Sequence, residues 1–244
     1  MGAFYCPSCK KQHSIGSAEA EQSCRELMGN LELTGRLDFE QSLANPVLST
    51  TPLFGEARGQ MFGILICAPA GPGEPKIILK AFSGQYNGIW EIPGWVPPIL
   101  APSVFTTSVA AADPPIKALG ARISELPIGA ERNALIEERK TLSQRHMLEI
   151  HEMYSIGNFK GESTSLFTLF GKQSGIPAGT GDCCGPKLLS YAALRGLKPL
   201  SLAEFFWGRE NRSQTKVHRK FYQPCDDKCR PILGYMLCGA DNVA

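Results

Sequence analysis

The chain has 244 residues, of which 43% are hydrophobic and 20% charged, and a formal net charge of +2. That composition excludes general disorder, and so small a charge does not by itself call for a polyanion partner. A chain of this length suits one large domain or two small ones and can bury a core without staples, so its nine cysteines need another explanation.

The first residues, Met1-Gly-Ala-Phe-Tyr-Cys6, lack the charged and apolar regions of a secretory signal. The longest apolar run, Met61 to Ala68, is far shorter than the roughly 20 residues that cross a bilayer. The expectation is a cytoplasmic or nuclear protein with no membrane partner. In that reducing setting clustered cysteines more often hold metal or do chemistry than form disulfides.

Residues 1–58 read as an irregular segment. Within it Cys6-x2-Cys9-x3-His13, with Cys24 beyond, is a candidate knuckle whose metal would supply the folding energy that so short a segment lacks. The alternative is a partly ordered leader. Residues 59–244 read as an α/β domain. Met61–Ala68 and Lys76–Ser83 are β-rich runs separated by the breaker segment Pro69–Pro75, which predicts a hairpin. The first run is continuously apolar, as expected of a strand buried on both faces. Residues 85–114, with Trp90, Trp95 and five prolines, read as an ordered, irregular insertion. A helical insertion is expected over 115–156, where Leu135, Leu142, Met147, Ile150 and Tyr154 follow a helical spacing. Pro127 and Gly129 divide it into a solvated helical hairpin.

Punctuation is clearer in the last third. Pro186 and Gly196 bound a helix over 186–195, with Leu188, Leu189, Ala192 and Ala193 on one face. Cys183 and Cys184 stand at its N-terminus, where partial positive charge favours thiolate. Leu200–Trp207 is a strand candidate, followed by a basic loop, Arg209–Lys220. Pro231 marks another helix start and puts Cys225 and Cys229 beside it. Two cysteine-bearing helix starts joined by one strand can converge on Zn²⁺. The candidate ligands are Cys183, Cys225 and Cys229, with His218 or a water as the fourth; the alternative is a set of ordinary buried cysteines. Lys187, Lys216, Arg219, Lys220 and Tyr222 are candidate nucleic-acid contacts, combining phosphate attraction with base stacking, against the alternative of a solvated loop.

The order hairpin, cysteine-led helix, strand, Pro-Cys…Cys helix resembles the cytidine-deaminase-like fold. The resemblance implies a three-layer α/β architecture, a sheet with flanking helices that here carries the helical insertion. In that family a His or Cys opens one helix, a Glu two residues later shuttles protons, and a Pro-Cys-x-x-Cys pair opens the next. Cys183 takes the first-ligand place, and Pro224-Cys225 opens the second motif. Two features depart from the pattern: the pair is spaced Cys-x3-Cys, and Gly185 stands where the Glu belongs. Asp182 and Glu204 are then the candidate catalytic proton carriers.

Gly179-Thr-Gly-Asp-Cys-Cys-Gly-Pro-Lys-Leu-Leu-Ser-Tyr-Ala192, Leu197-Lys-Pro-Leu200, Ala203-Glu-Phe-Phe-Trp-Gly208 and Cys225–Leu237 resemble the N-terminal region of long bacterial RluA-type pseudouridine synthases. With Gly59–Leu65 and Trp95-Val-Pro-Pro98 the resemblance spans about residues 59–238. It implies an association with RNA modification and an RNA or nucleoside partner. In that family the synthase's catalytic domain follows this region, and the sequence stops at Ala244. Arg36-Leu-Asp38 matches three residues around that superfamily's catalytic Asp, but the segment after it does not continue the match. Asp38 therefore reads as a helix-capping or surface carboxylate. Three functions remain: an RNA-modification-associated zinc-binding deaminase-like domain able to deaminate a pyrimidine; a non-catalytic RNA- or protein-binding module with a structural zinc; and a pseudouridine synthase-related protein.

Overall fold

The computed structural model describes residues 2–69, 71, 73–171 and 175–243. Residues 70 and 72, in the breaker between the two expected strands, lie outside the described residues. The chain begins with a hairpin, β1 (Ala3–Cys6) and β2 (Lys11–Ser14), and a helix, α1 (Ala18–Thr34). The strands β3 (Gln60–Cys67) and β4 (Ile77–Phe82) precede a helical pair, α2 (Pro102–Glu125) and α3 (Ala130–Glu152). The short elements β5 (Ser155–Gly157), β6 (Ser163–Ser165) and α4 (Leu166–Phe170) lead to α5 (Cys184–Leu194), β7 (Pro199–Trp207), β8 (Phe221–Tyr222) and α6 (Arg230–Met236).

The central sheet has the order β4-β3-β7-β8, every pair antiparallel. Alternation along the strands sends side chains to two different cores. Leu65, Cys67 and Leu202 pack with Leu188 and Leu189 of α5 and Ile232 and Leu233 of α6. Phe62, Ile64, Ala203, Phe205 and Trp207 pack with Leu27, Met28 and Leu31 of α1 and with Trp95. The result is a mixed α/β arrangement of three layers, α1 on one face and α5 with α6 on the other. The hairpin β3–β4 forms as expected, and β3 is buried from Phe62 to Cys67. No helix among the described residues is long and apolar enough to cross a membrane.

Two segment readings need correction. Residues 1–58 are not an irregular leader, because they hold the β1–β2 hairpin and a 17-residue helix. In α1 the residues Ala20, Cys24, Leu27, Met28 and Leu31 form one buried stripe, and the left-handed Gly35 ends the helix by giving its N–H to Leu31 O. That stripe covers a face of the sheet, so position 58 is no boundary. The helical insertion also starts earlier than 115. α2 begins at Pro102 and continues through Pro114 and Pro115. Each proline removes one N–H but already has helical φ, and the alanines at 110–112 favour the helix on their N-terminal side. α2 and α3 enclose a small separate core of Leu119, Ile123 and Leu135.

Candidate metal centre

The α5 helix starts at Cys184, with Cys183 as its N-cap residue. At the other helix start, Cys229 is the N-cap of α6 and Pro231 occupies the first turn. The N–H groups of Cys229 and Arg230 both bond to Cys225 O, at 3.2 and 3.0 Å. This single turn makes the Cys-x3-Cys spacing work, since it brings the two sulfurs to 3.3 Å. Packing of α5 beside α6 then brings in Cys183, and the three Sγ atoms lie within 4.8 Å of one another. A tetrahedral ion with metal–sulfur bonds of about 2.3 Å needs sulfurs about 3.8 Å apart, so the trio fits one. Cys183 and Cys225 are half-buried and Cys229 is buried.

The trio holds its negative charge unevenly. Hydrogen bonds from Cys183 and Cys229 hold the Cys225 thiol far below its usual range. Contact with Cys225 pushes Cys183 up, and contacts with Cys183 and Cys225 push Cys229 up. Only a cation among them lets all three ionise together, and the positive end of α5 assists.

Glu204 projects from β7 toward the same layer and is buried. Its Oε1 accepts the Gly185 N–H at 2.6 Å. A Cβ built on Gly185 would lie 2.9 Å from that oxygen, so the carboxylate occupies the space of a side chain at position 185. Burial pushes Glu204 up to about 7, against the opposing hydrogen bond from Gly185, and the Cys225 charge adds to the rise. Glu204 in turn raises Cys183 and Cys229 electrostatically. A cleft of about 100 Å³ at the sheet edge, where β8 stops, is lined by Ser17, Glu21, Glu204, Tyr222 and Gln223.

Several expected site residues are placed elsewhere. His218 is not a fourth ligand. Its Nδ1 accepts the Gly208 N–H at 3.0 Å, and its ring packs 4.5 Å from Trp207. The β7–β8 connection carries it toward the α1 side of the sheet, where Trp207 is buried, away from α5. Asp182 is not with the sulfurs either. It accepts the Tyr154 hydroxyl at 2.7 Å and lines a separate cavity of about 320 Å³ with His146, His151 and Thr180. Burial pushes its pKa up despite Tyr154.

The proposed nucleic-acid contacts are also dispersed. Lys187 is buried, on the inner face of α5, and donates to Phe82 O at 2.8 Å and Gly84 O at 3.1 Å, so it cannot meet a phosphate on the surface. Lys216 lies 3.7 Å from the Tyr222 ring centroid, which occupies a face that a base would stack on. Arg219 pairs with Glu32 at 2.8 Å. Lys220 is exposed. Asp38 is neither a surface group nor an α-helix cap. It is buried and accepts the Asn45 N–H at 2.7 Å, beside Arg36 at 3.7 Å.

A second group consists of Cys6, Cys9, His13 and Cys238, whose ligand atoms also lie within 4.8 Å of one another. Both groups can hold a metal ion. Cys24, expected in the knuckle, instead points its thiol at Ala203 O in the core, 3.6 Å away. Cys238 was not expected, because nothing in local spacing ties it to the first thirteen residues. Cys184 is likewise structural, its thiol 3.4 Å from Met61 O. No protein-family model matches the chain, and neither a curated protein nor a solved structure matches it.

Proposed function

We propose that the chain is a zinc-dependent, deaminase-like hydrolase that converts the exocyclic amine of a pyrimidine base to a carbonyl, with water consumed and ammonia released. The antiparallel hairpin, the cysteine-led α5, the strand β7 and the cysteine-led α6 follow one another in the order this reading requires. When bound by Cys183, Cys225 and Cys229, zinc supplies a Lewis acid with an open fourth position, which lowers the pKa of a water there.

The observation that carries the reading is the position of Glu204. The family pattern puts a proton-shuttling Glu at position 185, and here a carboxylate from β7 reaches into that space and is held by the Gly185 N–H. A carboxyl group with a pKa near 7 can take a proton from an attacking water and return it to the base or the departing amine. Gly185 fixes Oε1, and burial in the sheet keeps bulk water from the carboxylate. The link to RNA modification rests on the resemblance over residues 179–237, with Lys220 exposed beside Tyr222 for a phosphate.

A second reading, a non-catalytic module with a structural zinc, is favoured by the narrowness of the cleft over Glu204, about 100 Å³. The buried setting of Asp38 gives the synthase-related reading no support. The test is ammonia release from cytosine nucleosides and cytidine-containing RNA by the zinc-loaded chain. Activity is expected in the wild type and lost in Glu204→Gln with zinc retained. A wild type inactive on all of them, or a Glu204→Gln variant of full activity, overturns the catalytic reading.

A further inference from the structure

We infer that Cys6, Cys9, His13 and Cys238 form a second, closed zinc site that fastens the N-terminal hairpin to the end of α6. The donor set is three thiolates and an imidazole, which select zinc over hard cations such as magnesium or calcium. Cys9 Sγ and His13 Nε2 are already 3.1 Å apart, and the Cys9 N–H is directed at Cys6 Sγ at 3.5 Å, a donor suited to a metal-bound thiolate. Four protein ligands leave no position for a substrate, so this site is structural.

The hairpin needs such a fastening. Each of its strands has four residues; β2 has no buried residue, and β1 buries only Phe4 and Cys6. An isolated two-stranded hairpin of this size is marginal in water. Its packing partner is α6, against which the backbone lies so close that a Cβ on Gly234 would come within 2.0 Å of Tyr5 O. Cys238 lies two residues past the end of that helix, and its carbonyl accepts the Phe159 N–H at 3.0 Å, which ties in a third segment. The α6 helix thus carries Cys229 at one end and Cys238 at the other. Zinc in the closed site holds the helix against β1 and thereby holds Cys229 against Cys183. The closed site stands whether or not the open trio is catalytic.

Metal content of the full chain, loaded with zinc and desalted, tests this. Two zinc ions per chain are expected in the wild type, one in Cys9→Ser, one in Cys225→Ser and none in the double variant. X-ray absorption at the zinc edge of Cys225→Ser should read three sulfurs and one nitrogen. The further change His13→Cys should convert that shell to four sulfurs with zinc retained. The Cys225→Ser spectrum decides the matter even if Cys9→Ser does not fold. A wild type with one zinc that Cys225→Ser removes, a Cys9→Ser variant that keeps two, or a retained zinc with any other shell overturns the closed site. The clamp on α6 predicts that a competing chelator strips the remaining zinc of Cys9→Ser about tenfold faster than the open-site zinc of the wild type. Equal rates overturn the clamp.

Discussion

The two cysteine clusters sit at opposite ends of one short helix, and they differ in their fourth ligand and in the charge beside them. At the N-terminal end of α6, Cys183, Cys225 and Cys229 stand near the buried carboxylate of Glu204. At the C-terminal end, Cys6, Cys9 and Cys238 are completed by His13 and stand near Lys160, whose pKa the Cys238 charge raises. Three thiolates around a divalent ion leave one net negative charge. Lys160 offsets that charge at the quartet, which suits a permanent site. Glu204 does not offset it at the trio; it is driven toward its protonated form instead, which suits proton transfer. On the proposed reading the same ligand type would serve two purposes, with the neighbouring charge deciding which.

The sharpest break of that contrast is Glu204→Gln. It should lower the deamination rate about 10²–10⁴-fold while both zinc ions stay bound, read by ammonia release and metal content. Next is Cys9→Ser, which should cost on the order of 3 kcal/mol and lower Tm by about 10 °C through loss of the closed site. Cys225→Ser should lower Tm by less, because α5 already shares Leu188, Leu189 and Ala192 with α6 in one core, whereas the hairpin strands add only Phe4 and Cys6 to it; equal losses would erase the distinction between the sites. Gly234→Ala forces a methyl group against Tyr5 O and should destabilise the fold by about 1–3 kcal/mol while loosening the closed-site metal first. Zinc-release kinetics check that order.

A pH series on metal-free protein sharpens the electrostatic side. The folded-state pKa of Glu204, about 7, lies above its ordinary 4.5. The fold disfavours the charged form, so the contribution of this group is fully favourable below 4.5 and is lost as pH rises through about 7. Denaturant titrations should show that decline in the wild type and a flatter profile in Glu204→Gln. The smallest effect belongs to His218→Ala, which loses the bond from Gly208 at a cost of about 1 kcal/mol and should leave both metals in place.

Features written locally were legible in the residues. The β3–β4 hairpin followed from two apolar runs around a breaker, and α5 and α6 from Pro186, Gly196 and Pro231, so that Cys183, Cys225 and Cys229 could be assigned to helix starts. Glu204 could be put forward as a candidate, but its position in the space of a side chain at Gly185 could not be foreseen. Features that depend on which face an element presents were not legible. Cys24 looks like a knuckle residue until α1 turns it into the core, and Lys187 looks like a phosphate contact until the inner face of α5 buries it. α2 was obscured because a proline pair is read as a breaker, although the helix tolerates it.

Caps, breakers and apolar periods act over a few residues, so the sequence alone marked where β3, β4, α5 and α6 begin and which cysteines stand at those two helix starts, while β1, β2, α1 and the start of α2 went unread. Tertiary packing is what brings each candidate ligand set together. Cys238 joins Cys6, Cys9 and His13, and His218 is left outside the trio, because strand pairing and helix packing bring residues together across the whole length of the chain. A metal responds to distances of a few ångströms, and no local spacing rule carries that information between distant segments.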